Sequence, residues 1–346
     1  MFTARHRRRA ATPAGLALVL LLGLTACSSS GGSGDGIARV KGQISIAYLQ
    51  KQGDQGYFVD EAAGAKARAD QLGVDLQMVD LGSDAQKAVS EVKAAAAHKN
   101  QGVIIVVPDP AVGPELVQTA KDNRMALLTS DDQVCTTGPL PGACAHQNLV
   151  ARVGFSGEQM GTEIGKRAAQ EYRKTGWNPA DTRIIASWEQ DVTVCGDRVN
   201  AAGEAFFAAN GQLHTLDIDS DNTVAGAQKQ VALTIAANPT VKHWIVWGCN
   251  DENVQGSLDA LQAAGVSTDN VIGVGLGAYL ACKDWRAGRP TGMRAALYIS
   301  GTDVGALAVQ TMVDKLRDGK AFPPEAFAPT TMVDAGSWQS SGLKCN

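Results

Sequence analysis

A strand–helix alternation that occurs twice is the sequence feature that most constrains the fold of this chain. In the first half, apolar runs at residues 44–49 and 102–107 are separated by Ala-rich segments of helical character. The rhythm starts again near residue 159, with apolar runs at 183–188 and 271–276 and helical segments between them. Short apolar runs separated by helices indicate parallel strands covered by helices on both faces. We therefore predict an α/β protein with two doubly wound parallel-sheet domains.

The size and charge of the chain limit the function classes that remain. With 346 residues, it can form two domains of ordinary size, each with its own core. Its formal net charge is −4, and no long basic run follows the N-terminus. Because nucleic-acid binding needs clustered Lys and Arg side chains that neutralise phosphates, we expect no nucleic-acid partner.

Residues 1–27 have the pattern of a signal peptide. A cluster of arginines precedes an apolar run at 15–24, which is too short to span ~30 Å of hydrocarbon. The run ends in Leu24-Thr25-Ala26-Cys27, which is similar to the lipobox of bacterial lipoproteins, and a Ser- and Gly-rich tether follows at 28–42. We expect Cys27 to carry a lipid that anchors the protein at the outer face of the cytoplasmic membrane. The alternative is an ordinary signal peptide with a chance cysteine.

Six cysteines remain after Cys27, and an even number outside the cytoplasm indicates disulfides. Because no CxxC pair occurs, the sequence does not favour a structural zinc site, and we expect neither a metal nor another cofactor. Cys135 and Cys144 flank a turn-rich loop, so we predict a Cys135–Cys144 disulfide. The other four cysteines allow three pairings, which the sequence does not separate. Our working choice is Cys195–Cys249 with Cys282–Cys345.

Polar and aromatic side chains gather just after the strands of both halves, which is where doubly wound sheets bind ligands. Charged and amide groups form hydrogen bonds with hydroxyl groups, and an aromatic face covers the apolar face of a sugar ring. The candidates for such a site are Lys51, Gln55, Tyr57, Phe58, Asp131, Asp132, Arg198 and Asn250. Their common placement predicts a site for a polyhydroxylated ligand.

Several of these residues also have a purely structural interpretation. Asp131 and Asp132 could be a helix N-cap and its solvated neighbour, because Asp caps helices well. Tyr57 and Phe58 could be core residues of the first helix, with Phe58 the better candidate for the core. Arg198 on a helix could be a solvated charge.

Five stretches of the mature chain carry a family resemblance. They are Gln50-Lys51-Gln52, Val107-Pro108-Asp109-Pro110, Asp131-Asp132-Gln133, the run from Asn238 to Trp244, and Asn250-Asp251. Through them, residues 43–338 resemble the L-arabinose-binding protein family, the type I periplasmic sugar-binding proteins of ABC transporters. The resemblance implies two domains joined by a three-crossover hinge. It assigns residues 43–150 and 293–328 to domain I, and residues 151–292 and 329–346 to domain II.

The resemblance also implies roles for individual residues. The family's ligand residues correspond to Lys51, the ring-stacking Tyr57, the paired Asp131 and Asp132, Arg198 and Asn250. The chain departs from the family at four places: Gln55 replaces an acidic residue, Tyr57 a Trp, Cys249 a Met, and Gly277 a second ligand Asn. Since one lost hydrogen-bonding side chain can change which hydroxyl configuration is accepted, the resemblance does not identify the sugar.

We therefore expect an extracytoplasmic solute-binding lipoprotein that captures a pentose or hexose in an interdomain cleft. It would deliver the sugar to the permease subunits of an ABC importer, as a monomer that contacts the membrane only through its lipid, and it would not be an enzyme. Two alternatives remain: a binding protein for a polyol or other non-sugar solute, and a glycoside hydrolase using Asp131, Asp132 or Glu189. A hydrolase needs two carboxylates ~5–9 Å apart around the bond, and adjacent aspartates point apart. A chemoreceptor partner also remains open.

Overall fold

Two six-stranded sheets form the framework of the protein, which is known from a computed structural model that describes residues 37–138 and 144–345. The strands are β1 (Ser45–Gln50), β2 (Asp75–Asp80), β3 (Gly102–Ile105), β4 (Ala126–Ser130), β5 (Arg152–Gly154), β6 (Thr182–Trp188), β7 (Thr215–Asp219), β8 (His243–Gly248), β9 (Val271–Gly277), β10 (Met293–Ile299), β11 (Glu325–Phe327) and β12 (Thr330–Val333). The helices are α1 (Gly56–Leu72), α2 (Ala85–Ala97), α3 (Gly113–Asp122), α4 (Gly157–Arg173), α5 (Thr193–Asn210), α6 (Val224–Ala237), α7 (Asp251–Ala263), α8 (Ala281–Arg286) and α9 (Gly301–Val313). The predicted signal peptide, the lipobox with Cys27 and most of the tether lie outside the described residues.

The strand order explains where a ligand site can form. The first sheet has the order β11-β5-β4-β3-β1-β2, and the second has the order β12-β10-β9-β8-β6-β7. All described pairings are parallel except the β10–β12 pair, which is antiparallel. In each sheet, the strand order reverses at the first strand of the unit, and the crevice at such a point is where open α/β sheets bind ligands. The predicted α/β class with two parallel-sheet domains is confirmed.

The strands form where the sequence has apolar runs because helices cover both faces of each sheet. The central strands β3 and β9 are buried along their whole length, as expected for parallel strands between two helical layers. One hydrophobic core runs from the first sheet through the helices around the domain junction to the second sheet, and two further cores lie on the outer faces. Among the residues that the structure describes, we find no helix with the length and apolar character of a membrane span.

The chain passes between the two sheets three times, but at places that differ from the predicted ranges. The strand at 152–154 belongs to the first sheet, and the strand at 293–299 belongs to the second, whereas the sequence interpretation assigned them the other way round. The crossings therefore follow Gly154, Ile299 and Phe327. The three-residue strand β5 is too short to be visible as a periodic apolar run, so the sequence did not show that it precedes the first crossing. Strand β10 was visible as an apolar run, but only the sheet pairing shows that it belongs to the second domain.

Close helix pairs brace the two domains next to these crossings. A Cβ atom added at Gly305 of α9 would lie 1.9 Å from the carbonyl oxygen of Glu61 on α1. In the second domain, a Cβ atom at Gly161 of α4 would lie 2.1 Å from the carbonyl oxygen of Arg198 on α5. Glycine is needed at these positions because the backbones approach too closely for any side chain. The helices α1 and α9 in the first domain, and α4 and α5 in the second, therefore pack with their backbones in close contact.

We predict that Gly305→Ala destabilises the protein, because the added methyl group forces α1 and α9 apart. Overpacking of this kind costs ~1–3 kcal/mol of unfolding free energy, measurable by urea denaturation. Gly203→Ala is the matched control on α5, because its Cβ atom would meet only the Phe207 ring at 3.4 Å. The control should be neutral or stabilising, since Ala favours helix more than Gly. Equal destabilisation by both variants would contradict this account of the packing.

Candidate functional site

Asp131 and Asp132 lie in a turn directly after β4, and their side chains diverge. Asp131 Oδ1 accepts a hydrogen bond from the Tyr57 hydroxyl at 2.9 Å, and Asp132 Oδ2 lies 3.2 Å from Lys51 Nζ. Asp131 has a φ of 60°, in the left-handed region that a non-glycine residue adopts at a cost. No helix begins at this turn, so the helix-cap interpretation of the two aspartates is wrong. Each carboxylate therefore contacts a different side chain: Asp131 contacts the Tyr57 hydroxyl group, and Asp132 contacts the Lys51 ammonium group.

Tyr57 is the centre of an aromatic cluster at the start of α1. Its ring centroid lies 5.2 Å from that of Phe58, 6.3 Å from that of Phe155 and 6.3 Å from that of Tyr279. Phe155 follows β5 of the first sheet, whereas Tyr279 follows β9 of the second, so the cluster joins the two domains. Tyr57 packs against the hydrophobic core, and Phe58 is half-buried beside it. The sequence interpretation missed Phe155 and Tyr279.

Arg152, which the sequence interpretation also missed, stabilises the aspartate turn from β5. One of its guanidinium nitrogens donates to the Asp131 carbonyl oxygen at 2.9 Å, and another lies 2.5 Å from Glu325 Oε1. Gln133 donates to the same glutamate oxygen at 3.1 Å. The turn is therefore held by its backbone as well as by its side chains.

Arg198 is the principal cation that the second domain brings to the site. It lies in the second turn of α5, and its Nη1 atom donates to the Cys249 carbonyl oxygen at 2.9 Å. Its Nε atom is buried and has no hydrogen-bond partner among the described residues. A buried N–H group without a partner is costly, which makes this atom a candidate donor to a bound molecule. The solvated-charge interpretation of Arg198 is therefore wrong.

Three asparagines, Asn222, Asn250 and Asn253, form a hydrogen-bonded amide network on the side of the crevice that belongs to the second domain. We call this side the second-domain wall. Asn253, which is fully buried, donates to Asn222 Oδ1 at 2.6 Å and to Asn250 Oδ1 at 2.8 Å. Asn250 caps α7 by accepting from the Asn253 backbone, and its amide nitrogen donates to the Asn222 carbonyl oxygen at 3.0 Å. Asn222 also donates to Glu189 Oε2 at 2.9 Å. The side chain of Asn250 is thus already engaged at both ends.

The electrostatics show that charges of the two domains face each other. Burial and the neighbouring Asp132 raise the pKa of Asp131 to about 6, and the Arg198 guanidinium of the other domain opposes this rise. Asp132 raises the pKa of Lys51 above its ordinary value, and Glu189 of the second domain contributes in the same direction. Lys51, Asp131 and Asp132 therefore interact with Arg198 and Glu189 across the crevice.

The crevice is nearly closed at one edge. A cavity of about 20 Å³, room for about one water molecule, lies there between the two domains. Its lining residues are Pro110, Asp132, Gln133, Arg152, Val192, Val194 and Asp197. A larger depression of about 490 Å³ lies between β7 and α6 and is lined by the second domain alone. Only the first of these cavities adjoins the charged groups described above.

The remaining sequence candidates contribute in different ways. Gln55 is half-buried at the start of α1, where its side chain makes no capping hydrogen bond. Gly277 has a φ of 108°, and a Cβ atom there would lie 3.2 Å from Asp251 Cβ, so both backbone and space favour glycine. In the described residues, no group of three or more His, Cys, Asp or Glu side chains is arranged to hold a metal ion.

Two disulfides are present, and they are the pairs Cys195–Cys249 and Cys282–Cys345. The first joins α5 to the end of β8, beside the Arg198–Cys249 hydrogen bond. The predicted Cys135–Cys144 disulfide stays a prediction: the side chains of these two cysteines are neighbours that interact with each other. Cys144 Sγ donates to the Asn148 carbonyl oxygen at 3.3 Å, and burial raises the pKa of the Cys135 thiol to about 12.

A family model and a related sequence both match this chain to periplasmic binding proteins. The periplasmic binding protein domain family matches residues 46–321. An ABC transporter L-arabinose-binding periplasmic protein of Azospirillum brasilense is 28% identical over 312 residues, with 88% of this chain and 90% of the relative covered.

Two solved structures have the same fold. A solute-binding protein of Actinobacillus succinogenes with bound D-allose has a TM-score of 0.72 at 19% identity, over 86% of this chain and 99% of that one. A Caulobacter protein bound to myo-inositol has a TM-score of 0.71 at 18% identity, over 89% and 98% of the two chains.

We predict that peptide mapping without reduction links Cys195 with Cys249 and Cys282 with Cys345. Cys195→Ala with Cys249→Ala should lower the unfolding free energy by ~2–4 kcal/mol, because the disulfide closes a long loop. The matched control, Cys135→Ala with Cys144→Ala, should lose markedly less. A linked peptide that joins Cys195 or Cys249 to Cys282 or Cys345 would contradict the pairing.

Proposed function

The chain belongs to the periplasmic binding protein domain family, and from this premise we propose that it captures a small sugar, a pentose or a hexose, between its two domains. The observation that carries the proposal is the arrangement of Lys51, Asp131 and Asp132 opposite Arg198. Carboxylates accept hydrogen bonds from sugar hydroxyls, while the ammonium and guanidinium groups donate to them. The buried Nε atom of Arg198 is available for such a donation.

The aromatic cluster supports a pyranose or furanose ring as the ligand. Tyr57 combines a ring beside the crevice with a hydroxyl group that is already bonded to Asp131. Its ring can cover the apolar C–H face of a sugar while Asp131 and Asp132 bind the hydroxyl groups at its edge. Phe58, Phe155 and Tyr279 keep this ring in place.

A polyol is the second candidate, and Gly277 is the observation that favours it. The family's second ligand Asn corresponds to this position, so the second domain lacks one amide group that would read a hydroxyl configuration. The fold neighbour bound to myo-inositol shows that the same fold accepts a cyclic polyol in that protein. A titration panel of pentoses, hexoses and cyclic polyols separates the two candidates.

The contacts of the carboxylates favour a protein that binds a sugar over an enzyme that hydrolyses one. Asp131 and Asp132 are engaged by Tyr57 and Lys51, and Glu189 is engaged by Asn222. We infer that the protein serves an ABC importer by presenting the sugar to its permease subunits. In this proposal the lipid on Cys27 holds the monomeric protein at the outer face of the cytoplasmic membrane.

We predict that Asp132→Ala weakens sugar binding by roughly ten- to a hundredfold, since a hydrogen bond to a charged group contributes ~1.5–3 kcal/mol. Tyr57→Ala should also weaken binding, through the lost ring contact and the lost hydrogen bond to Asp131. Isothermal titration against the sugar that binds best measures both effects.

Asp54→Ala is the control for these variants, because Asp54 lies in the same loop as Lys51 and is exposed. Its affinity should equal that of the unmodified protein. If Asp132→Ala binds normally while Asp54→Ala does not, the assignment of the binding residues is incorrect.

A further inference from the structure

Glu61 is a buried acid directly beneath the aspartate turn, with no role in the function proposed so far. Its side chain projects from α1 and is 1% exposed. Its Oε1 atom accepts a hydrogen bond from the Tyr48 hydroxyl of β1 at 2.7 Å and another from the Ser130 hydroxyl of β4. Its Oε2 atom is buried without a partner among the described residues. One carboxyl group thus connects three elements of the first domain.

The groups around Glu61 favour its neutral form. Asp131 and Asp132 on the β4 side are both acidic, and α1 itself adds the Tyr57 hydroxyl. Helix α9 approaches Glu61 with the backbone of Gly301 and Gly305, which carry no charge. Burial, and next the charge of Asp131, raise the pKa of Glu61 to about 8, although the hydrogen bonds from Ser130 and Tyr48 oppose this. The Oε2 atom of Glu61 meets no hydrogen-bond donor among the described residues that would favour the ionised form.

The contacts of Glu61 lead to Asp131 by two routes. Ser130, which donates to Glu61, immediately precedes Asp131, whose φ of 60° must be imposed by its surroundings. Tyr57, which donates to Asp131, lies one helical turn before Glu61 on α1. The carboxyl group therefore anchors both the backbone that precedes Asp131 and the helix that supplies its hydrogen-bond donor.

We propose that Glu61, as a neutral carboxylic acid, is a positioning residue that holds Asp131 in the geometry required for sugar binding. The inference rests on the proposed function, because it concerns the same site. Ionisation of Glu61 would place a second buried negative charge beside Asp131 and disturb the turn. Sugar affinity should therefore be greatest between the pH at which Asp131 ionises and the higher pH at which Glu61 ionises.

The pH dependence has a defined sign on each side of this maximum. Below pH 6, Asp131 becomes protonated and is a poorer acceptor, so affinity falls as the pH falls. Above pH 8, Glu61 loses its proton, and affinity falls by at most about tenfold per pH unit for one linked proton. Lys51, Tyr48 and Tyr57 do not cause this alkaline decline, because the pKa of each is raised above its ordinary value.

The test is isothermal titration at pH 5, 7 and 9 of Glu61→Gln, Glu61→Ala and the unmodified protein, with whichever of L-arabinose, D-allose and myo-inositol binds the unmodified protein best. An amide has the shape of the neutral acid but cannot ionise, so Glu61→Gln should bind normally at pH 7 and lose the alkaline decline. Glu61→Ala should bind at least about tenfold more weakly at all three pH values while its circular dichroism stays unchanged. Normal binding by Glu61→Ala, weak binding by Glu61→Gln at pH 7, or an alkaline decline that persists in Glu61→Gln would each overturn the proposal.

Asp251→Asn is the matched control. Asp251 is also buried with its pKa raised to about 8, but it lies in the second domain, where it accepts a hydrogen bond from the Leu280 backbone. Asp251→Asn should keep the alkaline decline in sugar affinity. If Asp251→Asn loses this decline while Glu61→Gln keeps it, the proposal is overturned.

A ligand-free measurement separates this inference from the sugar assignment. The infrared difference spectrum between unmodified protein and Glu61→Gln at pH 7 should contain the C=O band of a protonated carboxylic acid. Its absence would overturn the proposal whatever the protein binds. Its presence without binding of any sugar or polyol would refute only the proposed function.

Discussion

Two adjacent carboxylates held in a largely buried turn require compensating charge, and the layout of the site follows from this requirement. Within the first domain, Lys51 forms an ion pair with Asp132, and Arg152 donates a hydrogen bond to the backbone carbonyl oxygen of Asp131. The second domain supplies Arg198, whose charge lowers the pKa of Asp131 against the effect of burial. Because part of the compensation comes from the other domain, the carboxylates are best stabilised when the domains are close together. Charge compensation and domain closure are thereby linked.

The two domains contribute to the site in different ways. The first domain provides the carboxylates, the ammonium group and the ring of Tyr57, all attached to strand ends or to the first turn of α1. The second domain provides a rigid wall, in which the amide network and the Cys195–Cys249 disulfide fix the surroundings of Arg198. Such a wall loses little freedom when a ligand binds, which favours affinity. Tyr279 links the walls, since its ring meets Tyr57 and its hydroxyl donates to the Ile299 carbonyl oxygen at 3.3 Å, beside a crossing.

The repeated apolar runs were sufficient to predict the fold, because strands covered on both faces leave a strong signal in sequence. They did not reveal β5 and β11, which are three residues long and depend on their neighbours in the sheet. Placement after strands identified Lys51, Asp131, Asp132 and Arg198, which the structure does bring together. The same rule could not show that Asn250 is engaged as a helix cap. Arg152 and Phe155 were missed because the three-residue strand β5, which places them beside β4, leaves no periodic signal in the sequence. Tyr279 was missed because it meets Tyr57 only across the junction of the two domains.

Native mass spectrometry of freshly purified protein weighs any molecule retained in the crevice, and it therefore tests directly whether the two domains capture a sugar. We expect a one-to-one complex with an uncharged pentose, hexose or cyclic polyol, which is lost from Asp132→Ala and kept by Asp54→Ala. A retained ligand that is not polyhydroxylated, or a sugar that Asp132→Ala retains as firmly as the unmodified protein, would contradict this expectation.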